Sequence, residues 1–296
     1  MRLQAQLLRI LSVFSLLASF LGFTGSVMAA VPAVVDSVQS PAWVERGARS
    51  LALAPGFELK SGDVVRTGPG ARAYLKLAEG STVKLGESAR LALFSSGVRP
   101  EKSFRGALDV VTGAFRFTTD AARKASATRD VTIRVATATA GIRGTDVWGK
   151  AGKHSDLVAL IEGRIELTRG GESFDLAPMT FMEGPHGAAA VVKPLDVPTL
   201  NVLGRETEIL PGDGATRKKG RWSLALGEFA DQPAALERYA QLTQAGFAVR
   251  VTPLAAENGW RYALRLAGFA DETEAAIAAA RIKAVTGVDA VPQRGR

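Results

Sequence analysis

The chain has 296 residues, with 37 lysines and arginines against 29 aspartates and glutamates, two histidines and no cysteine. The missing cysteine excludes disulfides, thiol nucleophiles and thiolate metal centres, and a net charge of +8 suits an anionic surface. With 47% hydrophobic and 22% charged residues, this is a folded chain long enough for two domains.

Residues 1–30 read as a secretory signal peptide. Arg2 and Arg9 form a basic start, Ile10 to Phe23 is an apolar run broken only by serine, alanine and glycine, and Val27-Met-Ala29 or Met28-Ala-Ala30 offers small-residue cleavage. The run is shorter than the ~20 residues a spanning helix needs, and no cysteine follows for lipid attachment. Stable membrane insertion is therefore not expected. Removing the segment deletes two arginines and no acid, which leaves 266 residues of net charge +6. A mature chain outside the cytoplasm argues against a nucleic-acid partner.

Residues 31–56, with Pro32, Pro41 and Pro55, read as a lead-in. From 57 to 192 short apolar alternations are punctuated by turn signals such as Gly62-Asp63, Gly68-Pro-Gly70, Glu79-Gly80, Gly141, Gly144 and Gly170-Gly171. Runs such as Ala73-Tyr-Leu-Lys-Leu77 and Leu157-Val-Ala-Leu-Ile161 have the period of strands with one buried face. The expectation is an all-β domain, a sandwich or a solenoid-like roll. Thr119–Ala127 suits a helix and a loop equally.

Leu59-Lys-Ser-Gly-Asp63, Thr67-Gly68 and Leu75-x-Leu77-x-Glu-Gly-Ser81-x-Val83-x-Leu85, followed by Gly113-Ala-Phe-Arg-Phe117, Gly141-Ile-Arg-Gly-Thr145-Asp-Val147 and Val158-Ala-Leu-Ile-Glu-Gly163, resemble a FecR-type periplasmic domain over about 57–168. In the ferric-citrate regulator such a domain relays a transporter's signal through a transmembrane helix, which the mature chain lacks. The resemblance implies an envelope interaction module here, with a signalling protein that acts by protein contact as the alternative. Arg143, between two glycines, can bind an anion, but more readily ties loop carbonyls or Asp146.

Residues 193–219, with Pro194, Pro198, Pro211-Gly-Asp-Gly214 and Arg217-Lys-Lys219, read as a semi-extended linker. Its basic triplet is a solvated run or an added attraction to an anionic wall.

The tail, 220–296, says the same thing twice. Arg221-Trp-Ser-Leu-Ala-Leu-Gly-Glu-Phe-Ala-Asp231 returns as Arg261-Tyr-Ala-Leu-Arg-Leu-Ala-Gly-Phe-Ala-Asp271, with six of eleven positions identical. Ala235, Tyr239 and Leu242 pair at the same offset with Ala275, Ala279 and Ile282, one helical stripe in each copy. Asp231 and Asp271 stand at N-caps, Asp271 with Glu274 has capping-box spacing, and Gly246 and Gly287 stand where the helices stop. Two such units predict a βαββαβ fold, a four-stranded antiparallel sheet with both helices on one face. Leu224, Leu226, Val249, Val251, Leu264 and Leu266 then face the helices, while Ser223, Ala225, Ala248, Arg250, Ala263 and Arg265 face away.

Trp222-Ser-Leu-Ala-Leu-Gly-Glu-Phe229, Gly246-Phe-Ala-Val-Arg-Val251 and Tyr262-Ala-Leu-Arg-Leu-Ala-Gly-Phe269 resemble a SPOR domain, the sporulation-related repeat, over about 220–292. The family often has Gln where Ala225 stands, and Ala267 replaces the second glycine. The resemblance implies binding to peptidoglycan glycan strands stripped of stem peptides, in the periplasm of a Gram-negative bacterium, with concentration at its division sites as an expectation. Ser223, Ala225, Arg250 and Arg265 are the candidate glycan-binding residues. His154 and His186 lack metal-ligand spacing, no nucleophile or phosphate-loop motif is present, and neither resembled family supplies a catalytic carboxylate pair. The expectation is a non-enzymatic protein without metal or cofactor, whose partners are stripped glycan and an envelope protein.

Overall fold

In a computed structural model, residues 33–95, 103–119, 128–142, 144–257 and 259–295 are described. The signal peptide, Arg143 and most of Thr119–Ala127 lie outside them. The first domain is two β-sheets packed face to face. They share one long strand, Ser103–Thr118, whose first half pairs in one sheet and second half in the other. The alternation in Arg72–Leu77 and Thr82–Leu85 buries Ala73, Leu75, Leu77, Val83 and Leu85 in the intersheet core with Phe115 and Phe117. An all-β domain was expected, and it is the sandwich arrangement that closes it.

The stretch 31–56 was expected as a lead-in, but from residue 33 it belongs to the sandwich. Strand Ala33–Gln39 lies along Arg72–Leu77, and strand Ala42–Arg46 pairs with both Arg49–Ala52 and Val64–Thr67. Val35, Val38, Ala42, Val44 and Leu53 are buried. The prolines that suggested a lead-in only punctuate these strands.

The motif residues act as backbone and charge fasteners. Gly62 and Gly80 adopt φ of +89° and +99°, the left-handed turns expected there. Buried Asp63 accepts from Arg46 Nε at 2.8 Å and Arg46 Nη2 at 2.7 Å. Asp146 is gripped the same way by Arg116, at 2.9 and 2.7 Å.

Residues 193–219 do not form an extended tether. Asp196 caps a helix, Val197–Thr207, by accepting from Thr199 N at 2.8 Å, with proline in its first turn. Leu195, Leu200 and Leu203 cover Trp148 and Ala159 on the outer face of one sheet. Beyond the helix, Glu208 meets Lys84 and Tyr74. The short strand Thr216–Arg217 then pairs on one side with Ser37 and Val38 and on the other with Phe269. It carries the sandwich's sheet into the sheet of the tail.

The tail has the expected βαββαβ order. Its antiparallel sheet runs Arg250–Ala256, Gly259–Phe269, Trp222–Phe229, Val291–Arg294, with helices Gln232–Gln244 and Glu272–Thr286 behind it. Asp231 and Asp271 accept from Ala234 N and Glu274 N at 3.1 and 2.9 Å. Gly246 and Gly287 end the helices at φ +86° and +73°. Tyr239 departs from its stripe and is exposed, while Ala235 and Leu242 are buried.

Candidate functional site

Register and burial settle which face of the tail sheet is open. Leu224, Leu226, Leu264 and Leu266 are buried in the core shared with the two helices, and the residues alternating with them look outward. Cross-strand pairing lines up Arg250, Arg265, Ala225 and Val291 in one row. The neighbouring row holds Ala267, Ser223 and Gln293, and on the other side Thr252, Ala263 and Glu228.

Arg250 and Arg265 are exposed and directly opposite one another, and neither has an ion pair or side-chain hydrogen bond among the described residues. Like charges in that relation are destabilising. Ala225 is half-buried beside them. Ser223 is only 6% exposed, and its hydroxyl donates to the Gln293 carbonyl at 3.4 Å. Ala263, expected on this face, is on it by register yet buried, a short side chain between Thr252 and Glu228. The face is a shallow floor of small residues with the two arginines standing above it.

Two glycines shape that floor. The ladder between Trp222–Phe229 and Gly259–Phe269 slips once on each strand, and the glycines at the slips, Gly227 and Gly268, adopt φ of +122° and +113°. Ala267 occupies the aligned position of Gly227, and Gly268, one residue later, takes the bulge. The duplication thus survives in the backbone although the glycine has shifted.

The end of the face near Arg250 abuts the first domain. A cleft of about 340 Å³ opens there, walled by Pro55 and Gly56, by Arg217 and Lys218, and by Arg250 and Ala267. The junction is fastened by Trp43. Its Nε1 donates to the Gln244 carbonyl at 3.0 Å, Ala42 N donates to the Gly246 carbonyl at 3.1 Å, and the Arg66 guanidinium stacks 4.2 Å from the Trp43 ring. A side chain on Gly246 would fall 2.7 Å from that ring.

A second fastener was read differently in the sequence. Glu274 does not complete a capping box with Asp271. Its carboxylate instead accepts from Gly212 N, Gly214 N and Ala215 N at 2.7, 2.6 and 3.1 Å. Arg281 adds bonds to the carbonyls of Ser40 and Asp213 at 3.3 and 3.0 Å, and burial lowers its pKa.

The two histidines, which lack metal-ligand spacing in the sequence, come together in the fold: His186 N donates to the His154 carbonyl at 2.9 Å. The His186 ring lies 3.3 Å from fully buried Asp156, whose other oxygen accepts from Thr137. Asp156 thereby ties three turns together. Among the described residues no group of three metal-ligating side chains converges, and no helix is long and apolar enough to cross a membrane.

Comparison with known proteins places this architecture. Residues 63–166 match the family described as FecR protein, and residues 218–294 match the SPOR domain. The chain therefore carries a FecR domain followed by a SPOR domain, in the order its motifs indicated. Both are envelope-associated domain families with binding or signalling roles and no catalytic one; SPOR domains bind peptidoglycan and FecR-like domains mediate protein contacts. No curated protein matches the chain. Two crystal structures of a candidate anti-sigma factor from Parabacteroides distasonis are similar at 12% identity, covering 66% and 79% of this chain and 95% and 99% of theirs, with TM-scores of 0.37 and 0.39. At those scores the likeness carries no argument.

Proposed function

We propose that the protein is a non-enzymatic periplasmic envelope protein that docks on peptide-stripped glycan strands of peptidoglycan through the open face of its SPOR sheet. Arg250 and Arg265 supply directed hydrogen bonds to the strand, and the low floor at Ala225 and Ser223 lets a sugar ring lie against the sheet. The FecR domain serves as the module that meets a second envelope protein, and the SPOR domain concentrates the pair where stripped strands accumulate, as at a division site.

The observation that carries this reading is the unpaired, face-to-face arrangement of Arg250 and Arg265 on the uncovered side of the sheet. Such a pair costs folding stability and makes sense when an outside ligand accepts from both guanidinium groups. The test is retention of the purified secreted chain on sacculi treated with an amidase, set against untreated sacculi. Retention is expected to rise with treatment, without release of soluble glycan. Equal retention on both would refute the preference, and glycan release would refute the non-enzymatic role.

A further inference from the structure

We propose that the cleft between the two domains is an anion subsite that holds the free carboxylate of a muramyl sugar, so that the connecting strand and the FecR domain complete the glycan site begun on the SPOR sheet. This rests on the peptidoglycan reading above and adds which group of the sugar is held, and where.

The cleft is continuous with the open face, because Arg250 and Ala267 belong to both. Three cations line it, Arg217, Lys218 and Arg250, and no acidic residue does. All three are exposed, and none has a side-chain hydrogen bond or ion pair among the described residues. Lys218 also borders a neighbouring hollow lined by Asp36 but forms no ion pair with it among the described residues, and an anion amid the three cations relieves their mutual repulsion. The remaining walls are short: Gly56, Gly220 and Ala248 are half-buried and offer nothing longer than a methyl group to the cleft. A volume of about 340 Å³ is within the range of small-molecule sites.

The walls are also fixed in advance. Val38 and Thr216 pair across the domain junction, and the Thr216 hydroxyl donates to the Val38 carbonyl at 3.1 Å. Lys218 runs alongside Gly56, its aliphatic stem 3.9 Å from where a Cβ would stand. A preformed site avoids the ordering cost of bringing its parts together on binding.

The chemistry of the ligand follows. On an intact strand each substituted muramyl sugar carries its peptide through a neutral amide. Hydrolysis of that amide leaves a carboxylate on the sugar, a planar anion that an arginine fork and a lysine both recognise. The cleft thus supplies a charge-based reason for preferring stripped strands, beyond the absence of a bulky peptide.

The experiment measures the affinity of the full secreted chain for soluble amidase-stripped strands and for the same strands with carboxylates chemically reduced to alcohols. Wild type is expected to bind the reduced strands at least ~10-fold more weakly, the loss of one charge-assisted contact. Lys218→Ala should weaken binding to carboxylate strands several-fold and leave binding to reduced strands unchanged. Equal affinity of wild type for both strands overturns the subsite, as does a Lys218→Ala loss that is the same on both. If wild type binds neither form, the peptidoglycan reading itself fails.

Discussion

Arg250 and Arg265 face each other directly across two antiparallel strands, both exposed and neither joined to an acidic residue among the described ones. Opposite charges in that position contribute roughly 0.2–1 kcal/mol, and like charges work against folding. Replacing Arg265 with glutamate turns the repulsive pair into an attractive one. Arg265→Glu should leave the urea midpoint unchanged or slightly higher while weakening binding to stripped strands at least ~10-fold. A variant that loses stability and keeps its binding would contradict this.

Glu274 holds three backbone N–H groups of the loop 212–215 that joins the domains. Without the carboxylate the donors of Gly214 and Ala215 are buried and unsatisfied, at about 1–3 kcal/mol for each that finds no water, while exposed Gly212 turns to solvent. Glu274→Ala should destabilise the protein by roughly 2–4 kcal/mol in chemical denaturation. Asp271→Ala removes only an N-cap bond and should cost about 1 kcal/mol. Equal losses from the two would show that Glu274 is an ordinary cap-box residue after all.

Trp43 joins domains whose contacting residues lie about two hundred positions apart in the chain. Gly246 accommodates it in a left-handed conformation that a β-carbon disfavours, and with no room for that carbon. Gly246→Ala is expected to uncouple the domains, so that calorimetry resolves two transitions where wild type gives one. A single transition, merely shifted, would mean that Thr216 and Glu274 hold the joint without Trp43.

Glu208 predicts a pH effect. Burial alone would raise its pKa, but hydrogen bonds from Lys84 and Tyr74 and the charges of Lys84 and Arg116 outweigh it and hold the group below the usual carboxylate range. A depressed native pKa contributes stability that is fully present above the unfolded value of about 4.3 and disappears as pH falls through the native value. Glu208→Gln should therefore cost most near neutrality, and the gap to wild type should close as pH falls below the unfolded value and through the depressed native one. A gap independent of pH would rule out the charge as its source. Tyr74, its partner, is shifted upward by burial and stays neutral throughout.

The parts of this molecule that repeat at short range were legible in the sequence. Strand alternation around Leu224 and Leu264, the caps at Asp231 and Asp271, and the stops at Gly246 and Gly287 each follow from a local rule. The face carrying Arg250 and Arg265 followed from the same alternation. What stayed hidden depends on partners far away in the chain. Glu274 has the spacing of a capping box, and nothing local reveals that three amides some sixty residues earlier compete for it. Asp196 followed by Pro198 is a helix start, but surrounding prolines and glycines masked it, and its apolar residues make sense only against Trp148. The cleft at Lys218 was invisible for the same reason: it exists only once Gly56 and Arg250 have been brought beside it.

The measurement that bears most directly on the account is co-sedimentation of the full secreted chain with peptide-stripped sacculi, wild type beside Arg250→Glu/Arg265→Glu, with circular dichroism confirming that both are folded. Wild type should pellet with the sacculi and the double variant should remain in the supernatant. A folded double variant that pellets as completely as wild type would show that the open face of the sheet is not where the wall is bound.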